Sequence, residues 1–587
     1  MLRALLSFTA VSVIARRSSR ASPMRAKPVQ VSAPELLSAN VSDADVVPCC
    51  PPFGPTPPAP FPANYETRWF TQPRDHFNYF SPLDTNATFE QRFLYDARHW
   101  AGPPAPIIFV TCVEAGPAPY YYGEYGWVVD TLAANLSALV VFAEHRGFGL
   151  TYPAVADGGD LSGWIPDAAH AGVLTEAQVL EDDTALATSL RRNLSAWDSP
   201  LIAIGGSLAG EMAAWWRIRY PFTVDMALSA SAPIFGFPGL TSEGAPLCDE
   251  FAWEAVVANA FRIVGGDECV SHFRDGYWQT AALSPAAVTT AFNTCTPATL
   301  PCHAQQIADM AIYWTETAAE LGSYPSSNPK RSQTAWACGM MAGSTTGVDA
   351  YVKLMAPMVP GQCLNVSWDG QCSAVGARTP GWCTSRWNDT SSGCQDGWGI
   401  ESCTTEIHPI SSNNVRRPRS PFYHPSQSRS ANTLTPHTPT NPHSTQVTDF
   451  FPPSTPFSEA ERQQGCRAQY GSNLRVDGGA MPRSFGQIDL ARMAQSSSRI
   501  IFSSGEFDPW SSMSVKTTLS PTLPYVWIKG GAHHSDIGNN WNPIPTPDDE
   551  PALREARELE MATLTKWVAD FHVEREASKK FIAGKKN

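Results

Sequence analysis

The sequence lacks several features that would place it in other classes of protein. After its first residues it contains no uninterrupted apolar run of about 18 residues, so no membrane-spanning helix is expected. Its 42 lysines and arginines are outnumbered by 55 acidic residues, and the formal net charge is −13. Nucleic-acid-binding proteins normally present a basic surface. The composition therefore predicts neither a membrane span nor a nucleic-acid partner.

The 14 cysteines lack the spacing of zinc sites. Eleven lie between Cys248 and Cys466, without paired two-residue gaps and without histidines at ligand spacing. We therefore expect no metal and no cofactor, and we expect disulfides formed in an oxidising compartment. Six N-glycosylation sequons agree with that compartment, at Asn40, Asn86, Asn135, Asn193, Asn365 and Asn388.

The N-terminal residues resemble a targeting segment. MLRALLSFTAVSVIARRSSRAS has a basic start, a short apolar stretch and then small residues with arginines, which is typical of a secretory signal peptide. An organelle transit peptide is the alternative, because five arginines precede the first acidic residue, Glu35. The predicted location is the secretory pathway, either lysosomal or vacuolar, or extracellular.

Apolar strand-like runs alternate with helix-like segments in two parts of the chain. Each run is apolar on both faces, which predicts a parallel sheet covered by helices. The predicted strands are 106–112, 138–146, 200–206 and 226–234, and the pattern returns in 498–510 and 524–536, with helices at 175–194, 209–221 and 551–571.

A cysteine- and tryptophan-rich region interrupts this alternation, and we interpret it as an inserted cap domain. Within it, 412–447 consists mostly of Ser, Thr, Pro, Asn, His and Arg and contains no core-forming run, so it is expected to be a disordered loop. The predicted division is a signal peptide (1–21), a proline-rich leader (22–63), the core in two parts (64–240 and 481–575), the cap (241–480) and a basic tail (576–587).

The most informative segment is IAIGGSLAGEMAAWWRIRYP, in which a buried strand runs through Gly-Gly-Ser207 directly into a helix. Small residues around a serine between a strand and a helix are typical of the nucleophile elbow of α/β-hydrolases. The elbow exposes the serine hydroxyl at a helix N-terminus, where the potential is positive. Ser207 is therefore the predicted nucleophile, and the backbone N–H of Leu208 a predicted oxyanion donor.

An elbow serine needs a later acid and then a histidine along the chain. The histidine candidates are His533 and His534, in a glycine turn after the strand YVWIK. The acid candidates are Glu506 and Asp508 in SGEFDPW, and Asp508 is preferred because Pro509 makes the turn rigid. Glu144 and His145 end an earlier strand and are interpreted as framework hydrogen-bonding residues beneath the site.

These motifs resemble a known family. GGSLAGEMAAWWRIRYP, FAEHRGFG, GEFDPWS and GGAHHSD are similar to motifs of the serine peptidase family that includes lysosomal Pro-X carboxypeptidase, dipeptidyl peptidase II and thymus-specific serine protease. The resemblance runs from about residue 65 to residue 572. It implies an α/β-hydrolase fold with a helical, disulfide-bonded cap, and a triad of Ser207, Asp508 and His533.

Two departures from the family pattern bear on the site. Leu208 stands where the family usually has an aromatic residue, and only Glu114 remains of a Gly-Asn-Glu-Gly loop that now reads Cys-Val-Glu-Ala. The resemblance implies that this loop, with Val113 and Glu114, borders the substrate and the second oxyanion donor. Specificity or activity could therefore differ from that of the family.

The resemblance implies, as the leading functional hypothesis, a serine exopeptidase acting on short peptides at proline-containing sites, from either the amino or the carboxyl terminus. A serine esterase or lipase of the same fold is the first alternative. A catalytically weakened, peptidase-like binding protein is the second, motivated by the altered loops. The expected partners are short peptides and, in a homodimer, a second copy of the chain.

Overall fold

The structure is a computed structural model, and it describes 64–78, 87–111, 122, 125–153, 171–242, 245–322, 333–356, 363, 364, 366, 368, 398–410, 450, 451, 457–485, 490–538 and 549–584. Most of the predicted core and cap is therefore described. The following parts of the chain lie outside these residues: the signal peptide, the whole leader 22–63, the predicted loop residues Val113 and Glu114, and the whole insert 412–447.

Eight strands form one sheet in the order β1-β2-β4-β3-β5-β6-β9-β10. From β4 to β10 all neighbours are parallel, whereas β2 pairs antiparallel with both β1 and β4. A separate two-stranded ribbon is formed by β7 and β8. The bounds are β1 Glu66–Pro73, β2 Thr88–Asp96, β3 Ile107–Val110, β4 Leu139–Ala143, β5 Leu201–Gly206, β6 Met226–Ala230, β7 Thr241–Ser242, β8 Ala245–Pro246, β9 Ile500–Gly505 and β10 Tyr525–Ile528.

The parallel strands are buried on both faces, as predicted. Along β3, Ile107 and Phe109 contribute to one apolar core, while Ile108 and Val110 contribute to the other. This alternation follows from the two-residue period of a strand. The antiparallel pair β1 and β2 was not predicted, because β1 is a polar and largely exposed edge strand whose sequence, ETRWFTQP, has no apolar run.

Helices cover both faces of the sheet. On one face, α2 (Glu176–Asn193) and α3 (Leu208–Arg219) contribute apolar side chains to the first core. On the other face lie the π-helical turn Trp127–Leu132 with α1 (Ala133–Leu136) and the long C-terminal helix α13 (Pro551–Gly584). The structure therefore confirms the predicted sheet with helices on both sides.

Between β6 and β9 the chain forms a helical cap with its own apolar core. Its first helices are α4 (Ala252–Ala281), α5 (Pro285–Phe292), α6 (Cys302–Gly322), α7 (Gln333–Met341) and α8 (Gly347–Met355). Four shorter helices follow, α9 (Trp398–Thr404), α10 (Glu459–Tyr470), α11 (Ala480–Phe485) and α12 (Leu490–Ser496). The buried side chains of α11 and α12 belong to the first core, on the sheet, and not to the cap core. No helix among the described residues is both long and apolar enough to cross a membrane.

Disulfides link the elements of this region, as the cysteine content predicted. Cys269 of α4 is bonded to Cys338 of α7, and Cys403 of α9 to Cys466 of α10. A third bond joins Cys295 to Cys363. Such cross-links stabilise a fold mainly by restricting its unfolded chain. The predicted helical, disulfide-rich cap is confirmed.

Candidate active site

Ser207 lies at the sharp turn between β5 and α3. The last residue of β5 is Gly206, and α3 begins at Leu208, so a single residue reverses the chain direction. Ser207 has φ 59° and ψ −131°, a backbone conformation that residues other than glycine rarely adopt. Its N–H donates to the carbonyl oxygen of Ala230 on β6 at 3.0 Å. The strained conformation and its position match those of a nucleophile elbow.

Small residues around Ser207 are required by close backbone contacts. A Cβ at Gly205 would lie 2.0 Å from the carbonyl oxygen of Ala209, and one at Gly210 would lie 2.7 Å from that of Ala230. Both contacts are with main-chain atoms, which cannot move aside without distorting the strand or the helix. The sequence pattern Gly-Gly-Ser-Leu-Ala-Gly is thus explained by the packing of β5, β6 and α3.

Asp508 and His533 come from the loops that follow β9 and β10. Asp508 Oδ1 accepts a hydrogen bond from the N–H of Trp510 at 3.0 Å, which fixes the carboxylate at the start of a 3-10 turn. The same oxygen lies 2.8 Å from His533 Nδ1. Because a carboxylate can only accept, Nδ1 carries the proton and Nε2 is left with a lone pair. This is the tautomer that a general base requires.

His534 and Glu506, the other candidates for the base and the acid, make different contacts. The main-chain N–H of His534 donates to Ser231 Oγ at 2.7 Å, and its ring lies against Gly206, where a Cβ would come within 2.8 Å of ring Cγ. Burial and the adjacent His533 hold the pKa of His534 well below its usual range. Glu506 accepts a hydrogen bond from the N–H of Gly530 at 2.9 Å and thereby supports the loop after β10.

The main chain of the elbow offers one predicted oxyanion donor, the amide of Leu208, and is itself held by a tyrosine, Tyr125. Leu208 is the first residue of α3, where an amide has no acceptor within the helix, and its side chain is buried in the first core. The hydroxyl of Tyr125 accepts a hydrogen bond from the N–H of Gly206 at 2.9 Å. Tyr125 was missed by the sequence analysis, since a tyrosine at the start of a helical segment carries no signal for such a contact.

Glu144 is a framework residue, as predicted. Its carboxylate accepts hydrogen bonds from Arg92 Nη2 at 2.6 Å and from Thr151 Oγ1 at 2.8 Å. The neighbouring His145 places Nδ1 2.6 Å from the carbonyl oxygen of Arg146. These contacts join β2, the end of β4 and the following loop.

An aromatic row leads from His533 into the cap. The ring of Trp510 lies 6.4 Å from that of His533, 5.2 Å from that of His408 and 5.9 Å from that of Trp253 on α4. Trp510 is only partly buried. The face of the site between the cap and the loops that carry Asp508 and His533 is therefore apolar and aromatic.

A group of buried glutamates, one of which is Glu211 on α3, was also missed by the sequence analysis. Glu176, Glu211, Glu401 and Glu406 are each at most 2% exposed. Ligand atoms of Glu211, Glu406 and His408 lie within 4.8 Å of one another, so these residues are the metal-ligating candidates in the described part of the chain. The residues are far apart in the sequence, and neither their spacing nor any motif brings them together.

Comparison with known proteins places this site in a family. The model of the family described as serine carboxypeptidase S28 matches residues 72–425 and 441–560. Human lysosomal Pro-X carboxypeptidase is 29% identical over 532 residues, covering 88% of this chain and 92% of the human protein. Prolyl carboxy peptidase like protein 5 of Caenorhabditis elegans is 26% identical, covering 86% and 90% of the two chains, and human thymus-specific serine protease is 23% identical, covering 85% and 86%.

The family match covers most of the chain, including the elbow, both later loops and the cap. The sheet order, with helices on both faces and a serine in a strained strand-to-helix turn, is that of an α/β-hydrolase. The chain therefore belongs to the serine carboxypeptidase S28 family and is a serine-type peptidase similar to prolyl carboxypeptidase.

Proposed function

We propose that the chain is a proline-directed serine carboxypeptidase in which Ser207 forms the acyl-enzyme, His533 is the general base and Asp508 orients it. The observation that carries the assignment is the 2.8 Å hydrogen bond between His533 Nδ1 and Asp508 Oδ1, made by loops that follow adjacent strands. The strained turn at Ser207 supports it independently.

In this mechanism the hydroxyl oxygen of Ser207 attacks the carbonyl carbon of the scissile peptide bond, and its proton passes to His533 Nε2. The tetrahedral intermediate then collapses, and His533 gives the proton to the leaving amine. Water attacks the resulting ester with His533 again acting as base, which releases the acid and restores Ser207. Asp508 stabilises the imidazolium that forms twice in this cycle.

The negative oxygen of the intermediate requires hydrogen-bond donors. The amide of Leu208 belongs to the first turn of α3, where the helix dipole contributes a positive potential. The loop with Val113 and Glu114, proposed to border the substrate and the second donor, lies outside the described residues. Leu208 is therefore the donor for which the structure offers support.

The preference for proline is supported by the aromatic face of the site. Trp510 and Trp253 offer flat apolar surfaces beside His533, and a rigid pyrrolidine ring buries well against such surfaces. The relatives named Pro-X carboxypeptidase suggest removal of the residue that follows proline at a carboxyl terminus. A cap over the site favours short peptides over folded proteins.

The proposed location is the secretory pathway, with the lysosome as the leading compartment. The disulfides among the described residues of the cap require an oxidising environment during folding. Four relatives carry the word lysosomal in their names. Subcellular fractionation of the tagged full-length chain would test the location.

A fluorophosphonate probe tests the nucleophile. The wild-type chain should be labelled stoichiometrically at Ser207, and Ser207→Ala should neither be labelled nor turn over peptides. Ser578→Ala, an exposed serine on α13, is the matched control and should behave as wild type. Labelling at another serine in wild type, or peptide hydrolysis by Ser207→Ala, would refute the assignment.

A substrate panel tests specificity and mode. N-terminally blocked peptides ending in Pro-Phe should release free phenylalanine, whereas the same peptides ending in Ala-Phe should be poor substrates. Dipeptide anilides with a free amino terminus and proline in second position report the amino-terminal mode, and fatty-acyl esters report an esterase. Faster turnover of either of these last two classes would overturn the proposed carboxypeptidase activity.

A further inference from the structure

Three side chains that can bind a metal ion meet between the nucleophile helix and the segment that follows α9. Glu211 is on α3, one turn beyond Ser207, and its N–H donates to the carbonyl oxygen of Ser207 at 3.0 Å. Glu406 and His408 belong to the segment after α9. One ligand atom of each residue lies within 4.8 Å of the other two. We call Glu211, Glu406 and His408 the Glu-Glu-His site.

The carboxylate of Glu406 is buried without a hydrogen-bond donor. Glu406 is 2% exposed, and neither of its carboxylate oxygens accepts a hydrogen bond within the described part of the chain. The group that faces it is His408, and no lysine or arginine among the described residues forms an ion pair with it. Burying a carboxylate away from water is strongly unfavourable unless a donor or a positive charge compensates it. A ligand that supplies positive charge would satisfy this requirement.

The imidazole of His408 is oriented as in histidines that bind metals. Its Nδ1 atom lies 2.8 Å from the carbonyl oxygen of Gly236, and because a carbonyl can only accept, Nδ1 carries a proton. Metal-binding histidines characteristically donate their other ring N–H to a carbonyl or carboxylate, which fixes the ring and directs the remaining nitrogen at the ion. The remaining nitrogen of His408, Nε2, faces Glu406 Oε2 at 3.5 Å.

This separation of Nε2 and Oε2 suits two ligands of one ion. It exceeds the length of a charge-assisted hydrogen bond, which is about 2.7–2.9 Å. Zinc binds histidine nitrogen and carboxylate oxygen at about 2.0–2.2 Å in tetrahedral geometry, which places two such ligand atoms about 3.3–3.5 Å apart. The observed 3.5 Å falls at the upper end of this range. Glu211 supplies a third protein ligand, and a water molecule would complete four-coordination.

The donor set selects the class of ion. Calcium and magnesium prefer sites made entirely of oxygen ligands, whereas imidazole nitrogen suits zinc and neighbouring transition metals. The sequence predicted no metal because the cysteines lack the spacing of zinc sites. That argument does not apply to these ligands, which are two glutamates and a histidine from parts of the chain almost 200 residues apart.

We propose that Glu211, Glu406 and His408 bind one divalent transition-metal ion, represented by zinc, and that the ion anchors the start of α3 to the segment after α9. This segment follows Cys403, which is cross-linked to Cys466. The ion would therefore join the nucleophile helix to a covalently restrained part of the cap. The site is structural, since its ligands are distinct from Ser207, Asp508 and His533. The proposal goes beyond the proposed function and does not depend on it.

Metal content of the full-length Ser207→Ala chain is the first test. After stripping with a chelator, exposure to zinc and desalting, mass spectrometry of the metal should find about one equivalent per chain. Glu406→Gln and His408→Phe, each added to Ser207→Ala, should weaken zinc binding by more than the roughly 10–100-fold that loss of an outer-shell contact costs. Phenylalanine keeps an aromatic ring beside Trp510 and removes both nitrogens. Glu560→Gln removes a fully buried carboxylate from α13 and is the matched control, which should keep the zinc.

The thermal midpoint gives a second readout. An ion that binds only the folded chain stabilises it by mass action, so zinc should raise the midpoint of Ser207→Ala. The rise should persist in Glu560→Gln and disappear in Glu406→Gln and His408→Phe. Midpoints measured without metal show whether each variant folds. If a ligand variant does not fold, X-ray absorption of zinc-loaded Ser207→Ala decides, because it should report imidazole and oxygen ligands and no sulfur.

Three results would overturn the proposal: no stoichiometric zinc in Ser207→Ala, equal zinc binding by the folded ligand variants, or sulfur among the zinc ligands. The first would leave an ion pair between a protonated His408 and Glu406 as the account of the buried carboxylate. All of these measurements use a chain without the Ser207 hydroxyl. Their outcome is therefore separate from that of the fluorophosphonate test of the proposed function.

Discussion

The guanidinium of Arg557 donates a hydrogen bond to the main-chain carbonyl oxygen of Asp536 at 2.8 Å. Its Nη2 atom donates to the carbonyl oxygen of Ser535, also at 2.8 Å, and its Nη1 atom donates to the carboxylate of Asp549 at 3.0 Å. Arg557 is on α13, whereas Ser535 and Asp536 follow His533 in the loop after β10. The C-terminal helix thus fixes the loop that carries the proposed base.

Replacing Arg557 with methionine should lower both activity and stability. The change removes the donors that Arg557 supplies to two carbonyl oxygens and one carboxylate, and loss of a donor to a buried acceptor costs about 1–3 kcal/mol. Arg557→Lys should recover part of the loss, because one ammonium cannot reproduce three directed bonds. Urea unfolding and kcat measure the two effects. Glu558→Gln, an exposed residue of the same helix, should change neither. Wild-type turnover in Arg557→Met would show that the loop is held by other contacts.

Replacing either of the two adjacent histidines with alanine should have unequal effects on kcat. His533→Ala should lower kcat by roughly four to six orders of magnitude, as removal of a triad member does. His534→Ala should be milder, since the contact to Ser231 is made by its main-chain N–H. Asp508→Asn should lower kcat by about 10⁴, because an amide can impose the wrong tautomer on His533. If His534→Ala were the inactive variant, the histidine assignment would be wrong.

Stability should depend on pH through Glu176. Burial raises its pKa from 4.5 to about 7. A carboxyl group whose folded-state pKa is raised contributes its full stability below about pH 4.5, and that contribution is lost as the pH rises through about 7. The thermal midpoint should therefore fall across this interval, and by less in Glu176→Gln. Differential scanning calorimetry on Ser207→Ala avoids self-digestion. A midpoint that rises across the same interval would contradict this expectation.

The insert from about residue 414 to residue 446 should be dispensable. It lies outside the described residues, and the family match is interrupted at 426–440, within it. Closing a longer flexible loop costs little, about 0.6 kcal/mol for each doubling of its length. A chain that joins residue 413 to residue 447 should keep its thermal midpoint and its peptide turnover. A loss of most activity, or of several degrees, would mean that the insert packs against the cap.

The elbow could be predicted from sequence because all of its parts are contiguous. A buried strand, two glycines, Ser207 and a helix follow one another within 200–221, and each is visible in the residues themselves. The strands β3 to β6, β9 and β10 were predicted for the same local reason. The helix α13 is longer than predicted, ending at Gly584 instead of 571, because its last turns are exposed and lack an apolar face.

The partners of the elbow could not be predicted in the same way. The residues left His533 and His534 open, and the family resemblance decided between them. The contact of Tyr125 with Gly206, the support of Arg557 and the meeting of Glu211 with Glu406 each join residues separated by more than 20 positions. Such contacts depend on how helices pack on the sheet, which neither periodicity nor composition specifies.

The backbone conformation of Ser207 lowers the stability of the fold at the position that catalysis requires. With φ 59° and ψ −131°, the residue occupies a region that glycine adopts freely and serine adopts at a cost of about 1–3 kcal/mol. A Ser207→Gly chain would therefore be the more stable molecule while lacking the hydroxyl. Selection for resistance to unfolding alone would erase the nucleophile, so a serine at this position in an active enzyme is maintained by catalysis against the preference of the backbone.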